Sequence, residues 1–194
     1  EITLKSSKEY KSPYTDVDID AVFTHADGTR ISTPGFWKED NTFAVRFTPT
    51  KTGEWAYVIT CTDAGNSDLN NVKGTVKATE NTGNSVFDKH GFVQIAADNR
   101  HFEYADGTPF FWLGDTHWGF VAGEKWDESN HPEMSSMFKG MVDRRVSQHY
   151  TVYQTNLRSE PRMGTTHYWA DGQIGTLPDV SFYQQKVDKR MQYL

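Results

Sequence analysis

The 194-residue chain is long enough for one large domain or two small ones, and its 36% hydrophobic and 24% charged residues are typical of a globular protein. Its formal net charge is −6 and it contains no basic run, so nucleic acid is not an expected partner. No apolar run approaches the ~18 residues that a membrane helix needs, and we expect no membrane partner. The single cysteine, Cys61, excludes a disulfide within the chain.

The first part of the chain, residues 1–83, predicts an immunoglobulin-like β-sandwich. Segments 17–23, 43–47 and 55–61 alternate apolar and polar residues with a period of two. Such alternation is typical of antiparallel strands with one buried face. Short strands separated by turn residues favour a sandwich. The polar segment 81–85 predicts a linker, and we place the domain boundary between residues 83 and 84.

The second part, residues 84–194, begins with a predicted hairpin over 91–95 and 101–104. Residues 110–114 are then apolar without alternation, as in a strand buried on both faces. The polar and aromatic residues that follow this run are Asp115, Thr116, His117 and Trp118. A buried strand that ends in such side chains is typical of a parallel barrel, where sites lie at the C-terminal ends of the strands.

The same pattern continues along the chain. Residues 127–148 predict a helix capped by Asn130, residues 150–153 predict a second strand that runs into polar side chains, and Ser181 is a plausible cap for a last helix. A (β/α)8 barrel takes ~250 residues and eight repeats. We find two repeats, and therefore expect the first two βα units of an incomplete (β/α)8 barrel.

Several motifs together resemble a known family. The segments Asp106-Gly107, Thr108–Phe111 and Leu113–Trp118, the last read as Leu-Gly-Asp-Thr-x-Trp, resemble the first barrel strand of the bacterial apiosidase-like glycoside hydrolases. Motifs such as Gly53–Tyr57 resemble the sandwich that precedes several bacterial polysaccharide hydrolases. The resemblance implies the N-terminal portion of a secreted or periplasmic hydrolase that cleaves O-glycosidic bonds in plant or algal cell-wall polysaccharide.

Glycoside hydrolysis normally uses two carboxyl groups. The resemblance places that pair on later barrel strands, typically the fourth and seventh, which this sequence does not contain. We therefore assign no catalytic residue here and expect this portion alone to be inactive. The alternative is a non-catalytic carbohydrate-binding or spacer module. A reading frame that continues past Leu194, with acids at two later strand ends, would favour the enzyme.

Eight side chains are candidates for a substrate pocket. Asp115 could accept hydrogen bonds from two sugar hydroxyls, His117 could donate or accept one, and Trp118 could offer a stacking face. The other candidates, on the next strand end and the loop after it, are Gln154, Asn156, Arg158, His167 and Trp169. Each has a structural alternative, which for Asp115 is a loop cap and for Trp118 a packing role.

Other kinds of site are not indicated. No two of the seven histidines lie three or four residues apart, so we expect no metal site. No glycine-rich phosphate loop or Gly-x-Ser-x-Gly turn occurs, and we expect no cofactor. Two barrel strands without neighbours expose sheet edges and apolar faces. We therefore expect the second half to be covered by the remainder of the barrel, a companion chain or a swapped copy.

Overall fold

The computed structural model describes residues 1–121, 123–157 and 177–194. Over these ranges the chain divides into two compact units, residues 1–81 with 177–180 and residues 82–157 with 181–194. Among the described residues, no helix is long and apolar enough to cross a membrane.

The first unit is a six-stranded antiparallel sheet with one short helix, α1 (Pro13–Asp16). Its strands are β1 (Ile2–Lys5), β2 (Ile19–His25), β3 (Arg30–Glu39), β4 (Thr42–Val45), β5 (Gly53–Cys61) and β6 (Val72–Ala78). They are ordered β1-β4-β3-β2-β5-β6. The three predicted alternating segments fall largely within β2, β4 and β5.

The sheet curls because β3 changes partner halfway along its length. Residues 30–34 pair with β2, whereas residues from Gly35 to Glu39 pair with β4. A Cβ atom on Gly35 would lie 3.0 Å from the Ile19 side chain, so the strands approach closely at this changeover. The resulting architecture is a curled antiparallel sheet that is compatible with the predicted sandwich.

The core of the first unit lies between the two ends of the curled sheet. Its members are the inward-facing apolar residues of β1, β2, β4 and β5 together with two loop residues: Leu4, Val17, Ile19, Ala21, Phe23, Phe43, Val45, Trp55, Ile59, Cys61 and Leu69. The indole N–H of Trp55 donates to the carbonyl oxygen of Lys51 at 3.0 Å, which satisfies the one polar group of the largest core side chain. Cys61 is a free, buried thiol within this core.

The second unit opens with helix α2 (Val86–His90), which the sequence did not predict. Ser85 and Asp88 form a reciprocal capping box at its start. Three short strands follow and pair antiparallel, β7 (Val93–Ile95), β8 (Phe102–Tyr104) and β9 (Pro109–Phe110). The predicted hairpin over 91–95 and 101–104 is therefore confirmed, with β9 as a third strand.

The next part of the unit alternates strand and helix. Strand β10 (Gly114–His117), helix α3 (Met137–Ser147) and strand β11 (Val152–Thr155) come in that order, and β10 pairs parallel with β11. The C-terminal helical segment consists of α4 (Val180–Phe182), a π-helical stretch (Tyr183–Asp188) and α5 (Lys189–Met191).

The predicted buried strand over 110–114 is wrong in its bounds. Phe110 ends the antiparallel hairpin, the parallel strand starts only at Gly114, and Phe111 and Trp112 between them are 75% and 56% exposed. The Thr151 hydroxyl fixes the segment between the two strands, because it accepts a hydrogen bond from the Leu113 N–H at 3.0 Å. An apolar run without periodicity fixes neither end of a strand, and here it spans the junction of two sheets.

The helix predicted over 127–148 starts at Met137 instead, and its cap is Ser136 rather than Asn130. The Ser136 hydroxyl accepts from the Lys139 N–H at 3.1 Å. The preceding residues form turns instead of helix, and the Met137 N–H donates across them to the Glu128 carbonyl.

Two further boundaries differ from the prediction. The second strand begins at Val152 rather than residue 150, because the Tyr150 N–H still bonds back to the Arg145 carbonyl at the end of α3. Ser181 lies inside the last helix instead of capping it, and its hydroxyl accepts from Gln185. A serine side chain can bond within a helix as well as at its start, so the residue type alone did not locate the boundary.

Candidate functional site

The parallel pair β10–β11 presents two different faces. Cross-strand partners are Asp115 with Tyr153, Thr116 with Gln154, and His117 with Thr155. Because successive strand residues point to opposite sides, Asp115, His117 and Tyr153 share one face. Thr116 and Gln154 share the other.

Helix α3 covers the face that holds Asp115. Arg145 on α3 donates through Nε to Asp115 Oδ2, and the same oxygen lies 3.3 Å from His117 Nε2. That second contact is close enough for an ion pair but is not aligned as a hydrogen bond. The carboxyl of Asp115 therefore ties strand β10 to helix α3.

A buried polar network lies beneath Asp115. His117 is 2% exposed, and its Nδ1 is 3.1 Å from each carboxylate oxygen of Glu124, which is 4% exposed. The Tyr153 hydroxyl donates to the same carboxylate at 2.9 Å. The His117 and Tyr153 rings also pack together, with centroids 4.0 Å apart. Glu124 thus has two donors, as a buried carboxylate requires.

The loop after β10 returns Glu124 to this position. The Glu124 N–H donates to the Gly119 carbonyl at 2.9 Å. A Cβ on Gly119 would lie 3.2 Å from Gly123 Cα, so the two glycines allow the loop to close tightly. The buried guanidinium of Arg190 in α5 donates to the Glu124 carbonyl at 2.8 Å and fixes its backbone.

Two groups of this face have shifted pKa values. The hydrogen bond from Arg145 lowers the pKa of Asp115, and Coulombic attraction to Arg145 and His117 lowers it further. Burial raises the pKa of Tyr153, and the charge of Glu124 raises it again. Asp115 is therefore held ionised, whereas Tyr153 is held as a neutral donor.

The opposite face of the strand pair is open. Thr116 and Gln154 are exposed on adjacent strands, and their side-chain oxygens are 3.4 Å apart. Trp118, which directly follows β10, is 65% exposed. These side chains can offer hydroxyl and amide groups beside a flat aromatic surface, the chemistry that suits a sugar ring.

The structure therefore divides the predicted candidates. Asp115 and His117 lie together on the covered face, and Gln154 lies on the open face. Asn156 is half-buried just past β11. The candidates Arg158, His167 and Trp169 lie outside the described residues.

The sequence analysis missed the polar partners of the covered face, Glu124, Tyr153, Arg145 and Arg190. Tyr153 falls in the predicted strand over 150–153 and Arg145 in the predicted helix over 127–148, and neither was a candidate for the site. One signal was available for Glu124: it directly follows Gly123, the second of two glycines, Gly119 and Gly123, that permit a tight loop. No pattern of sequence spacing indicates that His117 and Glu124 bond to each other.

The first unit contains a separate cleft, open to solvent, of about 680 Å³. It lies where β3 changes partner, beside α1, and is lined among others by Tyr14, Trp37, Asp18 and Asp20. Tyr14 is 54% exposed. A cleft of this volume is in the range of small-ligand sites.

Among the described residues, no group of three or more histidine, cysteine, aspartate or glutamate side chains could hold a metal ion. The pairs formed by His117 with Asp115 and with Glu124 lie within the covered face already described.

Comparison with known proteins gives two family matches. Residues 96–194, just over half of the chain, match the model of the apiosidase-like catalytic domain, and residues 1–62 match a domain of unknown function, DUF5060. No curated protein matches the chain.

A solved structure resembles nearly the whole chain. It is the crystal structure of a candidate glycoside hydrolase from Bacteroides vulgatus ATCC 8482, with a TM-score of 0.62 and 21% sequence identity. The match covers 99% of this chain and 37% of that protein, so this chain spans little more than a third of its length. At this identity the likeness concerns the fold.

Proposed function

Because the chain belongs to the apiosidase-like family, we propose that it is part of a glycoside hydrolase whose substrate is cell-wall polysaccharide. The observation that carries this proposal is the parallel pair β10–β11, joined through α3, with an open polar face beside an exposed indole. The family match by itself indicates a glycoside hydrolase-related module.

The consecutive elements β10, α3 and β11 support the proposal that the second unit contains the start of a (β/α)8 barrel. In such a barrel each helix packs on the outer side of the sheet, and alternate strand residues point to the interior. Since α3 covers the face that holds Asp115, the interior face would be the one that holds Thr116 and Gln154. The proposed substrate contacts are therefore Thr116, Gln154 and Trp118.

Asp115, His117 and Glu124 take a different role in this proposal. They position the end of β10 against α3 and hold the loop from which Trp118 projects. This departs from the expectation that Asp115 and His117 contact the sugar directly.

Neither acid of the covered face suits the catalytic chemistry. Asp115 is neutralised by Arg145, and Glu124 is buried under His117 and Tyr153. A general acid must reach the glycosidic oxygen, and a nucleophile or base must reach the anomeric carbon or a water beside it. We propose that the catalytic pair comes from other strands of the natural full-length protein, in a secreted or periplasmic location where cell-wall polysaccharide is met.

The test uses the natural full-length protein and a panel of cell-wall polysaccharides, with release of reducing sugar as the readout. Gln154→Ala and Trp118→Ala should each lower kcat/KM about tenfold, mainly through KM, which corresponds to about 1.4 kcal/mol. The matched controls are Gln192→Ala, at an exposed glutamine directly after α5, and Trp112→Ala, at an indole of similar exposure. No sugar release from any polysaccharide, or equal effects of variants and controls, would refute the proposal.

The cleft in the first unit favours a second candidate function, in which the sandwich is a non-catalytic carbohydrate-binding module. The exposed Tyr14 ring can stack on a sugar, and the Asp18 and Asp20 carboxylates at the rim can accept hydrogen bonds from its hydroxyls. Affinity electrophoresis in gels containing soluble polysaccharide tests this candidate. Tyr14→Ala should abolish retardation, whereas Val58→Ala, at an exposed apolar residue of β5 outside the cleft, should not. Equal mobility in every gel would exclude it.

A further inference from the structure

Three positive groups converge on one aromatic ring in the second unit. The Nζ atoms of Lys139 and Lys189 lie 4.4 and 4.5 Å from the centroid of the Trp126 ring, and the guanidinium carbon of Arg190 lies 5.6 Å from it. The chain as a whole carries a net charge of −6, so this concentration of positive charge is a local exception. We call Trp126, Lys139 and Lys189 the basic cluster.

Packing holds the cluster in place. Trp126 stacks on the buried Phe138 of α3 with centroids 5.6 Å apart, and Tyr193 meets its edge. Lys139 lies in the first turn of α3, and Lys189 begins α5. Both ammonium groups are therefore carried by helices that pack against the same ring, and little conformational freedom remains to be lost when a ligand binds.

This arrangement is electrostatically unfavourable without a counter-charge. Attraction to the ring stabilises each cation, but the cations repel one another. Partial burial lowers the pKa of Lys189, and the charges of Lys186, Arg190 and Lys139 lower it further, against Asp127, which raises it.

Some lysines of the chain are paired with carboxylates. In the first unit, Lys8, Lys38 and Lys51 each form an ion pair with a carboxylate. Among the described residues, no such pair within 4.0 Å is formed by Lys139 or Lys189. The basic cluster thus holds two half-buried lysine side chains with their ammonium groups close to one aromatic ring.

We propose that the basic cluster binds an oxyanion, namely a carboxylate, sulfate or phosphate group, between Lys139 and Lys189. Lysine binds such groups as a compact charge with three donors. The oxyanion is either a free ion or a substituent of an acidic glycan. The inference does not rest on the proposed hydrolase function.

The experiment measures ligand binding at Trp126 itself. The natural full-length protein is labelled with 5-fluorotryptophan, and Trp126→Phe assigns the Trp126 signal in the fluorine NMR spectrum. Sodium sulfate, sodium phosphate, oligomannuronate and the matching neutral mannose oligosaccharide are titrated at constant ionic strength. We expect a saturable shift of the Trp126 signal with oxyanions and none with the neutral sugar. Saturation by the inorganic ions alone identifies a free ion as the ligand, and saturation by oligomannuronate identifies an acidic glycan.

Variants separate charge from packing. Lys139→Met and Lys189→Met keep the apolar stem on the ring and remove the charge. Each should weaken binding about fivefold, equivalent to about 1 kcal/mol, and the double variant should abolish the shift. Lys89→Met, at an exposed lysine of α2, is the matched control and should bind as the unmodified protein does. No saturable shift with any oxyanion, or a shift that persists in the double variant, would overturn the proposal.

Discussion

The buried network around Glu124 allows a quantitative prediction. Glu124→Ala would leave both the Nδ1 of the buried His117 and the hydroxyl of the half-buried Tyr153 without their acceptor. Removing one partner from a buried charged contact costs about 3–5 kcal/mol. Glu124→Gln keeps one oxygen acceptor and most of the volume, so we expect a smaller loss of about 1.5–3 kcal/mol.

The coupling free energy between Glu124 and Tyr153 tests the network more specifically than the cost of either single substitution. Tyr153→Phe removes a hydrogen bond of 2.9 Å to a buried carboxylate and should cost about 1.5–3 kcal/mol in the unmodified protein. In the Glu124→Ala background the acceptor is already gone, and the same change should cost almost nothing. The double-mutant cycle should therefore give a coupling free energy of about 1.5–3 kcal/mol.

The assay must report on the second unit alone, because a chain with two units need not unfold in one step. Native-state hydrogen exchange of the α3 and β11 amides gives the local free energy of opening. Tyr193→Phe is the control, since its hydroxyl donates to the exposed Asp143 instead of the buried Glu124. If Tyr153→Phe costs the same with and without Glu124, to within about 0.5 kcal/mol, the network does not hold β10 and β11 as described.

Three further predictions follow from single contacts. The raised pKa of Tyr153 stabilises the fold fully below the usual tyrosine value of about pH 10, and that stability should fall by up to about 1.4 kcal/mol per pH unit above it. Urea midpoints measured through this range should fall less steeply in Tyr153→Phe, with the remaining slope due to groups such as Tyr10 and Tyr193, whose pKa values are also raised; an equal slope in the variant would contradict this. Gly35→Ala should destabilise the curled sheet by about 1–3 kcal/mol, because the added Cβ would lie 3.0 Å from the Ile19 side chain, and thermal melting measures this loss. Gly65→Ala is the control and should be tolerated, since its Cβ would meet only an ordinary 3.5 Å contact. Equal melting temperatures of the two variants would contradict this. The hydrogen bond from His90 lowers the pKa of Asp106 to about 2, so carbon NMR should show the Asp106 carboxyl titrating near that pH. In His90→Ala the titration midpoint should move upward, and an unchanged midpoint would exclude the contact between His90 and Asp106.

The sequence predicted the elements better than their ends. Period-two alternation located β2, β4 and β5 because each has one buried face, which is the property that alternation reports. The same signal is absent from residues 110–114, where an apolar run crosses from one sheet to another. The parallel pairing of β10 with β11 was expected, since strand, helix and strand follow one another in the sequence. The first residue of β10 was not, because it depends on a hydrogen bond from Leu113 to Thr151, 38 residues away.

The candidate site shows a similar division. The cluster of Asp115, Thr116, His117 and Trp118 was visible because a change from apolar to polar residues marks the end of a buried strand. Which of these side chains share a face was not visible, because alternation applies only within a strand and the predicted strand ended at Gly114. In the structure β10 continues to His117, so Asp115 and His117 lie inside the strand, and alternation separates them from Thr116.

The position of Asp115 on the covered face changes the interpretation of this residue. An aspartate at the end of a barrel strand is ordinarily the first choice for a substrate contact. Here Arg145 and His117 both meet Asp115 Oδ2, and Glu124 supports His117 from below, so the charged groups of the covered face mainly satisfy one another. Binding a sugar to Asp115 would have to compete with these contacts, whereas Thr116, Gln154 and Trp118 are open to solvent. Under the proposed function, the side chains best placed to contact a neutral sugar ring are therefore the uncharged ones, and the charged ones fix the positions of these uncharged side chains.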